Sequence, residues 1–240
     1  MVRPLSVIAL LLASLAVCPA WAQTPLDPTG DDTGYAPPSV TILKCEVGVA
    51  RNLRKLAKCI GIRCHSKAAV AAVKRHPFGE ELCEADCVQK YHELDFHNVG
   101  CDACLGAAQR QAVADNVVQY MDDHTGDVFC DGTQPFGGDD TGFVPPSFSS
   151  LHCEQFVAKQ MGITMGCIYQ CHYEGVSNAF GGGTFVDEPC EDRCRIKWDR
   201  LNDGVDAFCP PCLKVAQRTA IYDAFEGFIG RTNGDIFCAQ

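Results

Sequence analysis

Two short motifs hold the residue types most capable of chemistry, Cys59-x4-Cys64-His65 and Cys167-x3-Cys171-His172. A pair of thiols followed directly by an imidazole is a lengthened form of the Cys-x-x-Cys-His spacing that holds haem c, with both sulfurs bonded to the macrocycle and the histidine on iron. A third candidate is Cys209-Pro210-Pro211-Cys212, a dithiol at an expected helix start, where the helix dipole lowers a thiol pKa and favours exchange. Its counterpart Cys101-Asp102-Ala103-Cys104 lacks the prolines, and no βαβ pattern surrounds either. Zinc on the same cysteines and histidines fits the spacing but not an oxidising compartment. The competing use of all these sulfurs is as disulfide staples.

The cysteine count favours staples. Seventeen cysteines is an odd number for an exported chain. Arg3, the apolar run from Val7 to Val17 and Ala20-Trp21-Ala22 read as a signal peptide, residues 1–22, and a cut after Ala22 discards Cys18. Leu15-Ala16-Val17-Cys18 approaches a lipobox, but Val17 stands where a small residue is wanted. The expected location is therefore secreted or periplasmic. No later run is apolar enough for a membrane span, and a net charge of -10 argues against nucleic acid as partner.

The remaining sixteen cysteines fall into two sets of eight. Cys45, Cys59, Cys64, Cys83, Cys87, Cys101, Cys104 and Cys130 have counterparts 107 or 108 positions later in Cys153, Cys167, Cys171, Cys190, Cys194, Cys209, Cys212 and Cys238. The lead-in segment Asp31-Asp32-Thr33-Gly34-Tyr35-Ala36-Pro37-Pro38-Ser39 likewise returns as Asp139-Asp140-Thr141-Gly142-Phe143-Val144-Pro145-Pro146-Ser147. Self-similarity at this period predicts a tandem repeat. The expected organisation is a Pro/Asp/Gly-rich leader at 23–38, repeat 1 at 39–130, a solvated acidic linker at 131–146 and repeat 2 at 147–240.

Apolar residues Ile42, Val49, Leu53, Leu56 and Ile60 recur at helical spacing. They predict a first helix running to about Arg75, where Pro77 and Gly79 break it; further helices are expected at 80–97 and 101–123. Repeat 2 is expected to follow with helices from Ser147, from Glu188 and from Cys212 to Ile229. The fold class is all-α, two tandem three-helix, disulfide-stapled repeats. Glu80, Glu81, Glu84, Glu188 and Glu191 open helices and are read as dipole partners.

Cys167 and Cys171 lie four apart, as do Cys190 and Cys194, so on facing antiparallel helices they can bridge as Cys167 with Cys194 and Cys171 with Cys190. The same scheme in repeat 1 pairs Cys59 with Cys87 and Cys64 with Cys83. Cys59 and Cys64 are five apart, so that repeat needs a bulge, with Gly61 as its natural place. Cys45 is expected to meet Cys101 or Cys104. Cys130 has no assignable partner.

Between Ser39 and His76 stand nine Lys or Arg against the single acid Glu46. Lys44, Arg51, Arg54, Lys55 and Lys58 share one helical face that could meet a protein, glycan or other anionic surface; its simpler reading is a solvated face. No nucleophile is paired with a base, so no catalytic residue, cofactor or metal site is assigned.

These features resemble a group of secreted bacterial proteins rich in cysteine and helix. The resemblance lies in the Gly-[Phe/Tyr]-x-Pro-Pro lead-in, the Lys-Cys...Cys-His first helix, Phe-x-x-x-x-Cys-Glu-x-x-Cys, Cys-Pro-Pro-Cys-Leu and the Asn233-Gly234-Asp235-Ile236-Phe237-Cys238 ending. It implies helical hairpins and export, and no activity. The sequence thus reads as a secreted non-catalytic structural or binding protein, with haem c on Cys59, Cys64, His65, Cys167, Cys171 and His172 as the alternative.

Overall fold

In the computed structural model, residues 25–26, 32–94 and 100–238 are described. The expected signal peptide, Cys18 and the last residues of the 80–97 helix lie outside them. After Pro37 and Pro38, Ser39 takes an extended conformation and its hydroxyl accepts from the Ile42 amide at 3.3 Å, capping α1, Val40–Cys59. Ser147 does the same for α6, Phe148–Phe180, accepting from the Ser150 amide at 3.1 Å. A serine after two prolines starts both helices for one reason. Proline holds the chain extended, and serine satisfies an amide that the helix cannot.

The helix begun by α1 continues through a π-helical turn at Ile60–His65 into α2, Ser66–Val73. A π turn takes up one residue more than an α turn. It therefore absorbs the extra residue between Cys59 and Cys64, and both sulfurs face α3, Glu80–Glu93. The bridges are Cys59–Cys87 and Cys64–Cys83. In the other half α6 remains α-helical, its cysteines are four apart, and it bonds α7, Glu188–Asp203, through Cys167–Cys194 and Cys171–Cys190.

The third segment of each half is broken near its start. Ala103–Leu105 and Pro211–Leu213 are single 3-10 turns, and only then do α4, Ala107–Asp123, and α8, Val215–Thr232, begin. Cys101 and Cys209, just ahead of these turns, tie back to the starts of the long helices as Cys45–Cys101 and Cys153–Cys209. A short turn of helix, α5 at Thr125–Val128, precedes Cys130.

The two halves meet through α1 and α6. Val49, Ala50, Leu53, Leu56, Ala57 and Ile60 are buried in one continuous core with the α6 residues Val157, Ala158, Met161, Met165 and Ile168. Glycine allows the backbones to touch. A β-carbon on Gly61 would stand 2.8 Å from the Ala158 carbonyl oxygen, and one on Gly162 only 2.5 Å from that of Ala57. The bridges Cys104–Cys238 and Cys130–Cys212 join the halves reciprocally. This settles Cys130 and separates the paired cysteines of each Cys-x-x-Cys motif, so Cys209-Pro210-Pro211-Cys212 is not an internal disulfide.

The segment expected to be a solvated linker is structured. Pro135–Gly137 and Asp140–Phe143 pair antiparallel as β1 and β2, and the Phe143 amide donates to the Phe129 carbonyl at 2.8 Å. The matching first lead-in runs along the far end of the chain, where the Tyr35 amide donates to the Phe237 carbonyl at 2.8 Å. Each lead-in therefore packs on the end of one half. Alternation over a few residues rich in Asp and Gly is too short to register as strand in sequence.

Among the described residues no helix is long and apolar enough to cross a membrane.

Candidate functional site

Cys64–Cys83 and Cys171–Cys190 fix more than two helices, because the residue after each sulfur is brought face to face as well. His65 meets Glu84, with Nε2 to Oε1 at 2.9 Å. His172 meets Glu191, with Nε2 to Oε1 at 2.7 Å. The separation is 19 residues in both bridges and both contacts. The staple sets the register of the polar pair.

Around each pair more carboxylates close in. His65 Nε2 also lies 3.3 Å from Asp122 Oδ1 at the end of α4 and 3.6 Å from Glu80 Oε1 at the start of α3. Asp140 of β2 places a carboxylate oxygen within 4.8 Å of a ring nitrogen of His65 and of an Asp122 oxygen, and it accepts from the Thr125 hydroxyl at 2.7 Å. His172 Nε2 is 3.3 Å from Asp32 Oδ1 in the first lead-in and 3.6 Å from Asp187 Oδ2 at the foot of α7. These groups are shut away from solvent: the side chains of His65 and His172 are 4% and 1% exposed, and that of Asp187 is 2% exposed.

Three carboxylates of each nest correspond by position along the chain, while Asp122 has no counterpart, its equivalent position being Gly230. Glu84 matches Glu191, Glu80 matches Asp187, and the lead-in residues Asp140 and Asp32 match each other. Both lead-ins are locked by a shared threonine device. The Thr141 hydroxyl donates to the Asp123 carbonyl at the end of α4 at 3.0 Å and accepts from the Gly126 amide at 2.9 Å. Thr33 donates to the Arg231 carbonyl near the end of α8 at 3.0 Å and accepts from the Gly234 amide at 2.8 Å. One threonine thus satisfies a stray helix-end carbonyl and aims the aspartate before it into the nest.

Crowding so many carboxylates into a dry space forces their charge to be neutralised. Burial alone would lower the His65 imidazole, yet hydrogen bonds to Asp122 and Glu84 and the charges of Asp140 and Glu84 push it up to about 10. Burial raises Glu80 to about 9, with Glu84 and Asp140 adding to the rise and His65 opposing it. Asp187 is likewise pushed up to about 9, by burial and by the neighbouring Asp32 carboxylate, against the attraction of His172. Both oxygens of Glu80 and Oδ2 of Asp187 are buried without an N–H or hydroxyl donor, and the groups closest to them are the carboxyls of Glu84 and Asp32. Nests of this composition can store protons or hold a cation.

The residues singled out from sequence scatter. Cys59, Cys64, Cys167 and Cys171 are all in disulfides, and His65 and His172 point into the nests. Haem attachment at these positions would require opening both bridges of a hairpin. The basic residues do not form one open face. Lys44, Arg51 and Lys55 are exposed, whereas Arg54 and Lys58 are half-buried against α6. Arg54 donates to the Tyr173 hydroxyl at 3.2 Å, and Arg51 lies over the Tyr173 ring at 5.0 Å. Burial, with Arg54 adding to it, lowers the Lys58 ammonium. Arg54, Lys58 and Lys197 border a groove of about 190 Å³ between α1, α6 and α7.

Sequence reading passes over Glu80, Glu84, Asp122, Asp140, Asp32, Asp187 and Glu191 as nest residues, because acids at helix starts and in turns look the same when they only serve the dipole or solvent. The usable signal is the duplicated interval from His65 to Glu84 and from His172 to Glu191.

No protein-family model, curated protein or solved structure matches this chain.

Proposed function

We propose that the chain is an exported, disulfide-locked protein that binds a ligand and does not transform it, and that the two nests are its binding sites. The recurrence of one histidine with three matched carboxylates in both halves, each nest closed by a lead-in aspartate, carries this reading. A non-catalytic role is supported by closure: the convergent groups are nearly inaccessible to any organic substrate, while a small ion or proton needs no larger path. Eight bridges fit an oxidising compartment. Export would proceed by removal of the segment ending near Ala22. The groove bordered by Arg54, Lys58 and Lys197 is the surface best suited to an anionic partner, be it protein or glycan.

Expression with the native leader, followed by intact mass analysis of the exported protein, tests this reading. The expected product starts at Gln23, has no alkylatable thiol, and gains two hydrogens per bridge on reduction across the eight bridges. Retention inside the cell with free thiols would refute it, and added haem mass surviving reduction would replace it with the haem c alternative.

A further inference from the structure

We propose that each nest is a binding site for one divalent first-row transition-metal cation, held by His65 with Glu80, Glu84, Asp122 and Asp140 in one half and by His172 with Asp32, Asp187 and Glu191 in the other. This rests on the reading of the nests as binding sites and names what they bind.

The geometry at His172 carries the argument. The Asn233 amide nitrogen donates to the Thr33 carbonyl at 2.8 Å, so its Oδ1 faces the imidazole and accepts from Nδ1 at 3.0 Å. That hydrogen bond fixes the proton of the neutral ring on Nδ1 and leaves the Nε2 lone pair pointing into the nest. Three carboxylate oxygens meet that one atom, at 2.7, 3.3 and 3.6 Å. A proton on Nε2 can be shared well with only one of them, whereas a metal ion accepts from the nitrogen and all three oxygens together. Ligand atoms that share an ion at about 2.0–2.2 Å lie about 2.8–3.6 Å from one another in octahedral to tetrahedral arrangements, and the contacts around both histidines fall near that range.

Two independent observations point the same way. Asp187 Oδ2, on a side chain 2% exposed, faces His172 Nε2 and has no N–H or hydroxyl donor, its other close neighbour being the Asp32 carboxyl, and Glu80 stands in the same relation to Glu84 beside His65. Buried carboxyl groups facing one another are costly unless a proton or a cation lies between them. The arrangement is also built twice from separate stretches of chain, with Asp187 standing where Glu80 stands and the lead-in residues Asp32 and Asp140 serving alike. An imidazole nitrogen among carboxylates suits manganese, iron, cobalt or zinc over calcium or magnesium, which prefer oxygen alone. The sulfurs nearby are not ligands, being bonded to one another.

The full, oxidised chain, stripped with a chelator and dialysed against Mn²⁺ or Zn²⁺, is expected to retain about two equivalents by elemental analysis, one per nest. His172→Gln should leave one equivalent, His65→Gln should leave one, and the double variant none, with the helical signal and thiol count unchanged. If a histidine variant fails to fold, Asp187→Asn and Glu84→Gln, which preserve side-chain volume, should each weaken one site at least tenfold. Two equivalents retained by the folded double variant would place the metal elsewhere and overturn the proposal. Ca²⁺ or Mg²⁺ bound in preference would overturn it while leaving the nests as binding sites. A folded wild-type chain that holds no cation would overturn both and show the nests to be proton networks.

Discussion

Complete reduction and alkylation of the folded protein is expected to abolish its cooperative thermal transition and most of its helical signal at 25 °C. The helices of this chain do not stand by themselves. In water, isolated helices of ordinary length are marginal, and here their stability comes from the partner helix to which each is stapled. A bridge of ordinary loop size contributes roughly 2–4 kcal/mol. Cys104–Cys238 and Cys130–Cys212, with sequence separations of 134 and 82 residues, are on the order of 4–5 kcal/mol each in the chain-entropy account. Net stabilities of folded proteins are only about 5–15 kcal/mol. Loss of even a few bridges therefore exceeds what packing can replace. Circular dichroism melts of oxidised and reduced protein read this directly, and an unchanged midpoint after reduction would show that the core alone holds the fold.

Gly162→Val is expected to destabilise the oxidised protein by about 3 kcal/mol or more, at the upper end of overpacking effects. The first atom added would stand 2.5 Å from the Ala57 carbonyl oxygen, which is backbone and has no rotamer to escape into. The two long helices would have to part, and with them the core residues Leu53, Ile60, Met161 and Met165 that meet between them. Gly227→Ala in α8 is the matched comparison. Its β-carbon would meet only the guanidinium of Arg231, at 3.0 Å, and a flexible side chain can move aside. Replacing a mid-helix glycine there should stabilise by about 0.5–1 kcal/mol through helix propensity. Denaturant midpoints of the two variants should move in opposite directions; equal shifts would mean that the close approach of α1 and α6 is not tight.

Whatever depends on local spacing is legible in the sequence. Cysteines four apart on a helix define a face, so on two facing antiparallel helices the spacing allows the hairpin bridges Cys167–Cys194 and Cys171–Cys190 that the structure forms. The five-residue step from Cys59 to Cys64 requires a distorted turn, and the π-helical stretch at Ile60–His65 supplies it. Pro-Pro-Ser marks both helix starts for the same capping reason. The pairing of Cys104, Cys130, Cys212 and Cys238 depends instead on how the halves meet. That is decided by the crossing at Gly61 and Gly162, and no periodicity reports where two helices cross. The nests are hidden for a related reason. His65, Glu80, Asp122 and Asp140 come from different elements, and only the fold shows that their tips converge. The hairpin within 131–146 is not legible because Asp, Gly and Pro are equally at home in a solvated linker and in a tight hairpin.

The halves are bound to each other reciprocally, so that each stapled hairpin and its nest are held against the other half. Proteolysis of the oxidised protein under non-reducing conditions, with mass identification of the linked peptides, tests this most directly. Peptides joining Cys104 to Cys238 and Cys130 to Cys212 are the expected result. Peptides joining Cys104 to Cys130 and Cys212 to Cys238 would mean that each half closes on itself, and would contradict the account.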